Sequence, residues 1–162
     1  MVKNLAKFLF IIYILGLIWL VLFKLSFNPI TYLEFTNTRS LNLVPLAMSG
    51  GRKEVLFNII AFIPFGILFG MNASKGSFFI KVFLSSSLSF LFEVSQYYLA
   101  IGATDITDVM TNTLGALMGL SGYGLLVKFF SKSKVDFIVT TLFTFLLIFT
   151  LFFIFSELRP EI

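Results

Sequence analysis

The sequence contains neither cysteine nor histidine. The first absence excludes disulfides, thiolate metal sites, iron–sulfur clusters and cysteine nucleophiles. The second removes the commonest zinc ligand and the commonest general base at neutral pH. Any remaining chemistry must come from carboxylates, hydroxyls and amides, or from a hard cation held by oxygen. Charge is scarce too: only 12% of the 162 residues are Asp, Glu, Lys or Arg, where a soluble domain carries about 25%. In their place the chain is 58% hydrophobic and 18% aromatic, with a mean hydropathy of +1.00. So few polar side chains cannot cover a water-facing surface. No basic patch with interleaved aromatics points to nucleic acid. The composition places the chain in a membrane.

A spanning helix needs about 20 mostly apolar residues, and five windows qualify: 5–25, 55–71, 78–101, 108–130 and 137–155. The chain is therefore expected to be an all-α integral membrane protein forming a single transmembrane domain over 1–162. Its largest connector is residues 26–54, and the second span is expected to be broken or kinked at Pro64, whose ring removes a helix hydrogen bond. The first window follows Lys3 and contains Lys7, as a signal peptide would, but it is long and no small-residue cleavage site follows. It reads as an uncleaved anchor. Orientation follows from the Lys/Arg bias of the short loops. With the N-terminus inside, Lys3, Lys7, Lys75, Lys81, Lys128, Lys132 and Lys134 face the cytoplasm, against one acid, Asp136. Lys24, Arg39, Arg52, Lys53 and Arg159 then face out, together with Glu34, Glu54, Asp105, Asp108, Glu157 and Glu161. The N-terminus is expected to be cytoplasmic and the C-terminus extracellular.

Polar residues within the spans carry the functional expectations. Ser85, Ser89, Glu93 and Gln96 lie at offsets 0, 4, 8 and 11, which puts all four on one helical face. Glu93 sits roughly 12 Å inside the outer end of its span at ~1.5 Å per residue. A charged carboxylate at such depth costs on the order of 2.5–3.5 kcal/mol on insertion scales, so it normally faces a cavity or a partner. The bland alternative is a protonated Glu93 acting as interhelical glue. Ser85 and Ser89 read as packing.

The fourth span opens with a second cluster, in which Asp108, Asn112, Gly115 and Gly119 share a face. Asp105, one turn earlier, suits a helix cap as well as a functional role, and Thr104 and Thr107 are rival caps. Asp105 and Asp108 supply at best a partial shell for a divalent cation, so no metal or cofactor is expected. Gly66/Gly70 and Gly115/Gly119 have the spacing that lets helix backbones approach closely. Asn58, at the outer end of the second span, is expected to face the same site as Glu93. Arg39 and Asn42 would fold over it from the long connector, with Arg39 pairing with the acids. Tyr97 and Tyr98 read as interfacial aromatics. The expected site is a polar pocket opening outward between spans two, three and four, built from Asn58, Glu93, Gln96, Asp105, Asp108, Asn112 and Arg39.

Three blocks of this chain resemble the VanZ-like membrane proteins: Asn58-x3-Phe62-x-Pro64-Phe65-Gly66, Glu93-x2-Gln96, and Asp105-x2-Asp108-x3-Asn112-x2-Gly115-x3-Gly119. The runs 17–25, 39–43 and 101–109 are similar to the family's members from glycopeptide-resistance clusters. Many family members carry an arginine shortly before the first aspartate, where this chain has Gly102-Ala103-Thr104, and Arg39 is the candidate substitute. The resemblance implies a multi-pass protein of the bacterial plasma membrane that confers low-level resistance to teicoplanin, with less effect on vancomycin. Its expected partners are membrane lipids and either a teicoplanin-type lipoglycopeptide or a lipid-linked peptidoglycan precursor, and the oligomeric state is open. Catalysis is not expected, and no catalytic residue is assigned. Two rivals remain: a membrane enzyme acting on a lipid or glycolipid head group through carboxylate/Mg chemistry, and a small proton-coupled transporter with Glu93 as relay.

Overall fold

The computed structural model of the protein describes residues 2–23, 38–46, 51–73 and 75–157. Lys24, the connector segments 26–37 and 47–50, and residues after 157 lie outside them. Among the described residues there are five helices: α1 (Val2–Phe23), α2 (Arg52–Asn72), α3 (Phe78–Leu99), α4 (Ile106–Phe129) and α5 (Lys132–Glu157). Each corresponds to one expected span, and the molecule is an all-α membrane protein. By length and apolar composition α1, α2, α3 and most of α5 qualify as membrane-crossing helices. The remaining helix, α4, carries Thr107, Asp108, Thr111, Asn112 and Thr113 in its first two turns, which lowers its hydropathy. Its polar face is turned inward: Thr107, Thr111 and Asn112 are all buried.

In lipid the tails are as apolar as the helices, so association rests on close packing and interhelical hydrogen bonds rather than on hydrophobic burial. Both are present. The α2–α4 contact is made by glycines. A Cβ at Gly66 would run into the carbonyl oxygen of Ala116, one at Gly115 into that of Ile59, and one at Gly119 into that of Ile63. Gly70 plays a different part, leaving room for the Tyr123 ring, whose Cδ1 lies 2.9 Å from where a Cβ would stand. Leu17, Phe62, Phe65, Phe92, Ile101 and Ala116 form the core beside this contact.

Helix α2 is not broken at Pro64: it runs continuously from Arg52 to Asn72. A proline disturbs the hydrogen bonding of the preceding turn, and there the Tyr13 hydroxyl of α1 donates to the Ala61 carbonyl at 2.7 Å. That bond gives the turn before Pro64 a polar partner inside the bundle, which is how such helices persist in lipid. Towards the opposite end, the Tyr123 hydroxyl donates to Asp136 Oδ1 at 2.6 Å, and Lys132 pairs with Asp136 Oδ2 at 2.8 Å. This cluster ties α4 to α5. The rest of α5 is largely exposed, a row of Phe, Leu and Ile suited to acyl chains.

Helical periodicity gave no sign of a short parallel ladder between β1 (Thr38–Asn42), from the long connector, and β2 (Ile101–Asp105). Thr38 pairs with Ile101, Arg39 with Gly102 and Asn42 with Asp105. Parallel strands need a crossover, supplied here by the α2–α3 hairpin. The turn into β2 is made at Ala100, whose left-handed conformation (φ 56°) closes α3 by sending its N–H back to the carbonyls of Gln96 and Tyr97. The chain then doubles back along the last turns of α3, and Asp105 arrives beside Glu93.

Candidate functional site

Helix α3 presents its polar face inward as its offsets require: Ser85, Ser89, Glu93 and Gln96 are all buried. Glu93 is 2% exposed. Its Oε2 accepts the backbone N–H of Asp105 at 2.9 Å, and its own carbonyl accepts the Thr104 hydroxyl at 3.1 Å. One turn deeper, Ser89 Oγ accepts from Asn112 Nδ2 at 2.9 Å. Gln96 points the other way along the same face and donates to the Val21 carbonyl of α1 at 3.0 Å.

Asp105 joins the ladder to α4. Its Oδ1 caps the helix by accepting the Thr107 N–H at 2.7 Å, and its Oδ2 accepts from Asn42 Nδ2 at 3.0 Å. Burial alone would raise the Asp105 pKa, but the hydrogen bonds from Thr107 and Asn42 outweigh it and hold this carboxyl below its ordinary value. The cap and the functional cluster are therefore one residue. Thr107, the rival cap, instead accepts the Leu46 N–H on its hydroxyl at 2.9 Å, fastening the end of the connector. Asp108 Oδ1 accepts from Asn58 Nδ2 of α2 at 2.8 Å.

Of the seven expected site residues, the structure links Glu93 to Asp105 and Asn58 to Asp108. It sets Asn112 one turn below Asp108, against Ser89. Gln96 shares the buried face of Glu93, with its amide N–H given to α1. Arg39 departs from expectation. It is exposed on β1 and makes no ion pair among the described residues, where Lys132–Asp136 is the pair found. Its backbone lies opposite Gly102, so it stands beside the stretch where the resemblance places an arginine, but its side chain is turned to the surface. Asn42 takes the role given to Arg39. An amide can neutralise the hydrogen-bonding demand of Asp105 without the cost of burying a second charge. Ser89, four residues before Glu93 on the same face, joins the cluster through its bond from Asn112.

Among the described residues no group of three or more acids could hold a metal ion, and both oxygens of Asp105 are already engaged. Among the described residues three buried oxygens have no hydrogen-bond partner: Glu93 Oε1, Gln96 Oε1 and Asn112 Oδ1. Such atoms are rare in folded proteins and mark unfinished business. A cleft of about 280 Å³ reaches Glu93 and Asp105. It lies between α3 and α4 under the end of β1, and its walls are almost wholly apolar, among them Phe90, Val94, Ile106 and Val109.

The sequence profile of the VanZ/LLP1 family matches residues 10–129, most of the chain and every element of this site. The chain belongs to the VanZ/LLP1 family. Protein VanZ of Enterococcus faecium is 45% identical to it over 134 residues, which cover 83% of each chain. No solved structure matches it. Helix α5 lies outside the region matched by the VanZ/LLP1 profile. The buried polar cluster lies wholly within it.

Proposed function

We propose that this protein is a multi-pass plasma-membrane protein that confers low-level teicoplanin resistance by binding, at its buried polar cluster, either the antibiotic or a lipid-linked cell-wall precursor. The N-terminus is cytoplasmic in this reading, so the ladder and the cluster lie in the outer half of the bilayer, where both ligands are found. The observation that carries it is the set of unpartnered acceptors on facing helices, Glu93 Oε1 and Asn112 Oδ1, beside the Asp105 and Asp108 carboxylates. Acceptors held ready in a low-dielectric site suit a ligand rich in N–H and O–H donors, as sugars, amides and amines are. Membership of the VanZ/LLP1 family and the likeness to protein VanZ support the resistance role. The engaged oxygens of Asp105 weigh against a metal-dependent enzyme.

Susceptibility of a sensitive Gram-positive host tests the proposal at matched membrane levels of each variant. The wild type should raise teicoplanin tolerance several-fold with little change for vancomycin. Glu93→Gln and Asp108→Asn should lose most of that gain, and Lys134→Gln, at an exposed position, should keep it. A wild type that changes neither drug overturns the resistance role. A proton-coupled transporter draws on the same free Glu93 oxygen, and it alone predicts that tolerance disappears when the proton gradient is collapsed.

A further inference from the structure

Around the expected polar site the side chains are tied to one another: Asn58 to Asp108, Asn112 to Ser89, and Asn42 of β1 to Asp105. The cavity that reaches Glu93 lies on another side. Its lining includes Phe90, Val94, Tyr97 and Tyr98 of α3 and Val109 of α4, with Leu41 and Leu43 above them. Phe90, Tyr97 and Tyr98 are exposed on the surface of α3, as are Leu41 and Leu43 on the connector. In a membrane-spanning bundle that surface meets acyl chains, so the cleft opens sideways. Glu93 is among its lining residues, 2% exposed, with one oxygen held by Asp105 and the other unpartnered.

We infer that this lateral cleft is the seat of a single acyl chain whose head carries an N–H or O–H donor, and that Glu93 Oε1 accepts that donor. The inference rests on the binding role proposed above and specifies which part of the ligand the protein holds. Two features select the class. The volume, about 280 Å³, lies just below the usual range for small-molecule sites, about 300–1,000 Å³. It admits one chain segment and a small head, and excludes a bulky glycopeptide core. The walls are mostly apolar, with Thr104, Asp105 and the phenols of Tyr97 and Tyr98 as the polar groups beside Glu93, so a fully polar ligand would lose more water than these few groups replace. An unfunctionalised hydrocarbon fills the walls but leaves Oε1 unpaired, which costs about 1–3 kcal/mol for a buried group. The chain and the donor are needed together.

Photolabelling of the full-length protein in phosphatidylcholine nanodiscs tests this. The probe is an N-acyl ethanolamine with a diazirine on its chain; the comparison probe is the matching fatty methyl ester, which has no donor. Labelled positions are mapped by mass spectrometry. The amide probe should concentrate on the segments 90–98 and 106–109 and exceed the ester there several-fold. Val109→Trp, which fills the cleft, should abolish that excess, and Glu93→Leu should reduce amide labelling to the ester level. Phe152→Trp, on the lipid face of α5, should change nothing. Circular dichroism and monodisperse elution establish that each variant is folded. Labelling spread evenly over α1, α3 and α5, or unaltered by Val109→Trp in a folded protein, overturns the inference. Drug susceptibility of the same variants separates the two claims. Selective labelling with resistance unaffected by Val109→Trp keeps the acyl seat and severs its link to resistance. Resistance lost in Glu93→Gln with no selective labelling does the reverse.

Discussion

Asp105 does three jobs with one side chain and one amide: it caps α4, receives Asn42 and hands its N–H to Glu93. Replacement by alanine removes the cap, worth about 0.5–2 kcal/mol, and strands the Asn42 amide, so thermal unfolding in detergent should show a loss at or above the top of that range. Asparagine preserves the capping oxygen and separates charge from geometry. Because the folded-state pKa of Asp105 is lowered, its charged form contributes stability that is complete above the unfolded carboxylate value of about 3.9. That contribution is lost as pH falls through the folded value. Melting temperatures between pH 6 and pH 3 should therefore fall more steeply for the wild type than for Asp105→Asn. The capping role was legible in the sequence, where an aspartate stands just before a helical pattern. Its bond to Asn42 was legible only in part: the connector was expected to bring Asn42 over the site, but the pairing was given to Arg39, because nothing local singles out a partner 63 residues away.

Among the elements, α2 and α4 meet most intimately, and the contact depends on what is missing. Gly119→Ala would drive a methyl group into the Ile63 carbonyl. Overpacking of this kind costs about 1–3 kcal/mol, so the thermal midpoint should drop and the α2–α4 spacing widen. Gly122→Ala, three residues further along α4, meets nothing within 4 Å. It should be neutral or stabilise by up to about 1 kcal/mol through helix propensity. A difference in sign between the two, measured in one detergent, distinguishes backbone approach from a general intolerance of α4 to substitution. The glycine spacing announced this contact in advance, as the polar offsets announced the inward face of α3. The apolar window of the second span begins at Val55, and Arg52, Lys53 and Glu54 carry α2 beyond it. The ladder left no trace, since five-residue strands such as Thr38–Asn42 lack the length for a period-two pattern to stand out.

For the whole molecule, Lys3, Lys7, Lys75, Lys81, Lys128, Lys132 and Lys134 stand at the helix ends away from the ladder, against Arg39, Arg52 and Lys53 on its side, and the positive-inside rule then gives the cytoplasmic N-terminus proposed above. The absence of cysteine makes this simple to test, because a single introduced thiol is the sole target of a membrane-impermeant maleimide. Lys53→Cys should be labelled on intact cells and Lys134→Cys only after lysis; the reverse pattern would invert the protein and place its cluster in the inner half of the bilayer. Overall class and the five described helices followed from composition and run length. The burial of α4 did not, because hydropathy scores a helix alone while this one is completed by its neighbours. That dependence bears on biogenesis. With Asp108, Asn112 and three threonines in its opening turns, α4 is a poor candidate to partition from the translocon into lipid unaided. The groups that receive it, Ser89 and Glu93 on α3 and Asn58 on α2, all precede it in the chain. The nascent protein thus lays down the receptors for its least lipophilic helix before that helix leaves the ribosome, and the order of synthesis does part of the work of insertion.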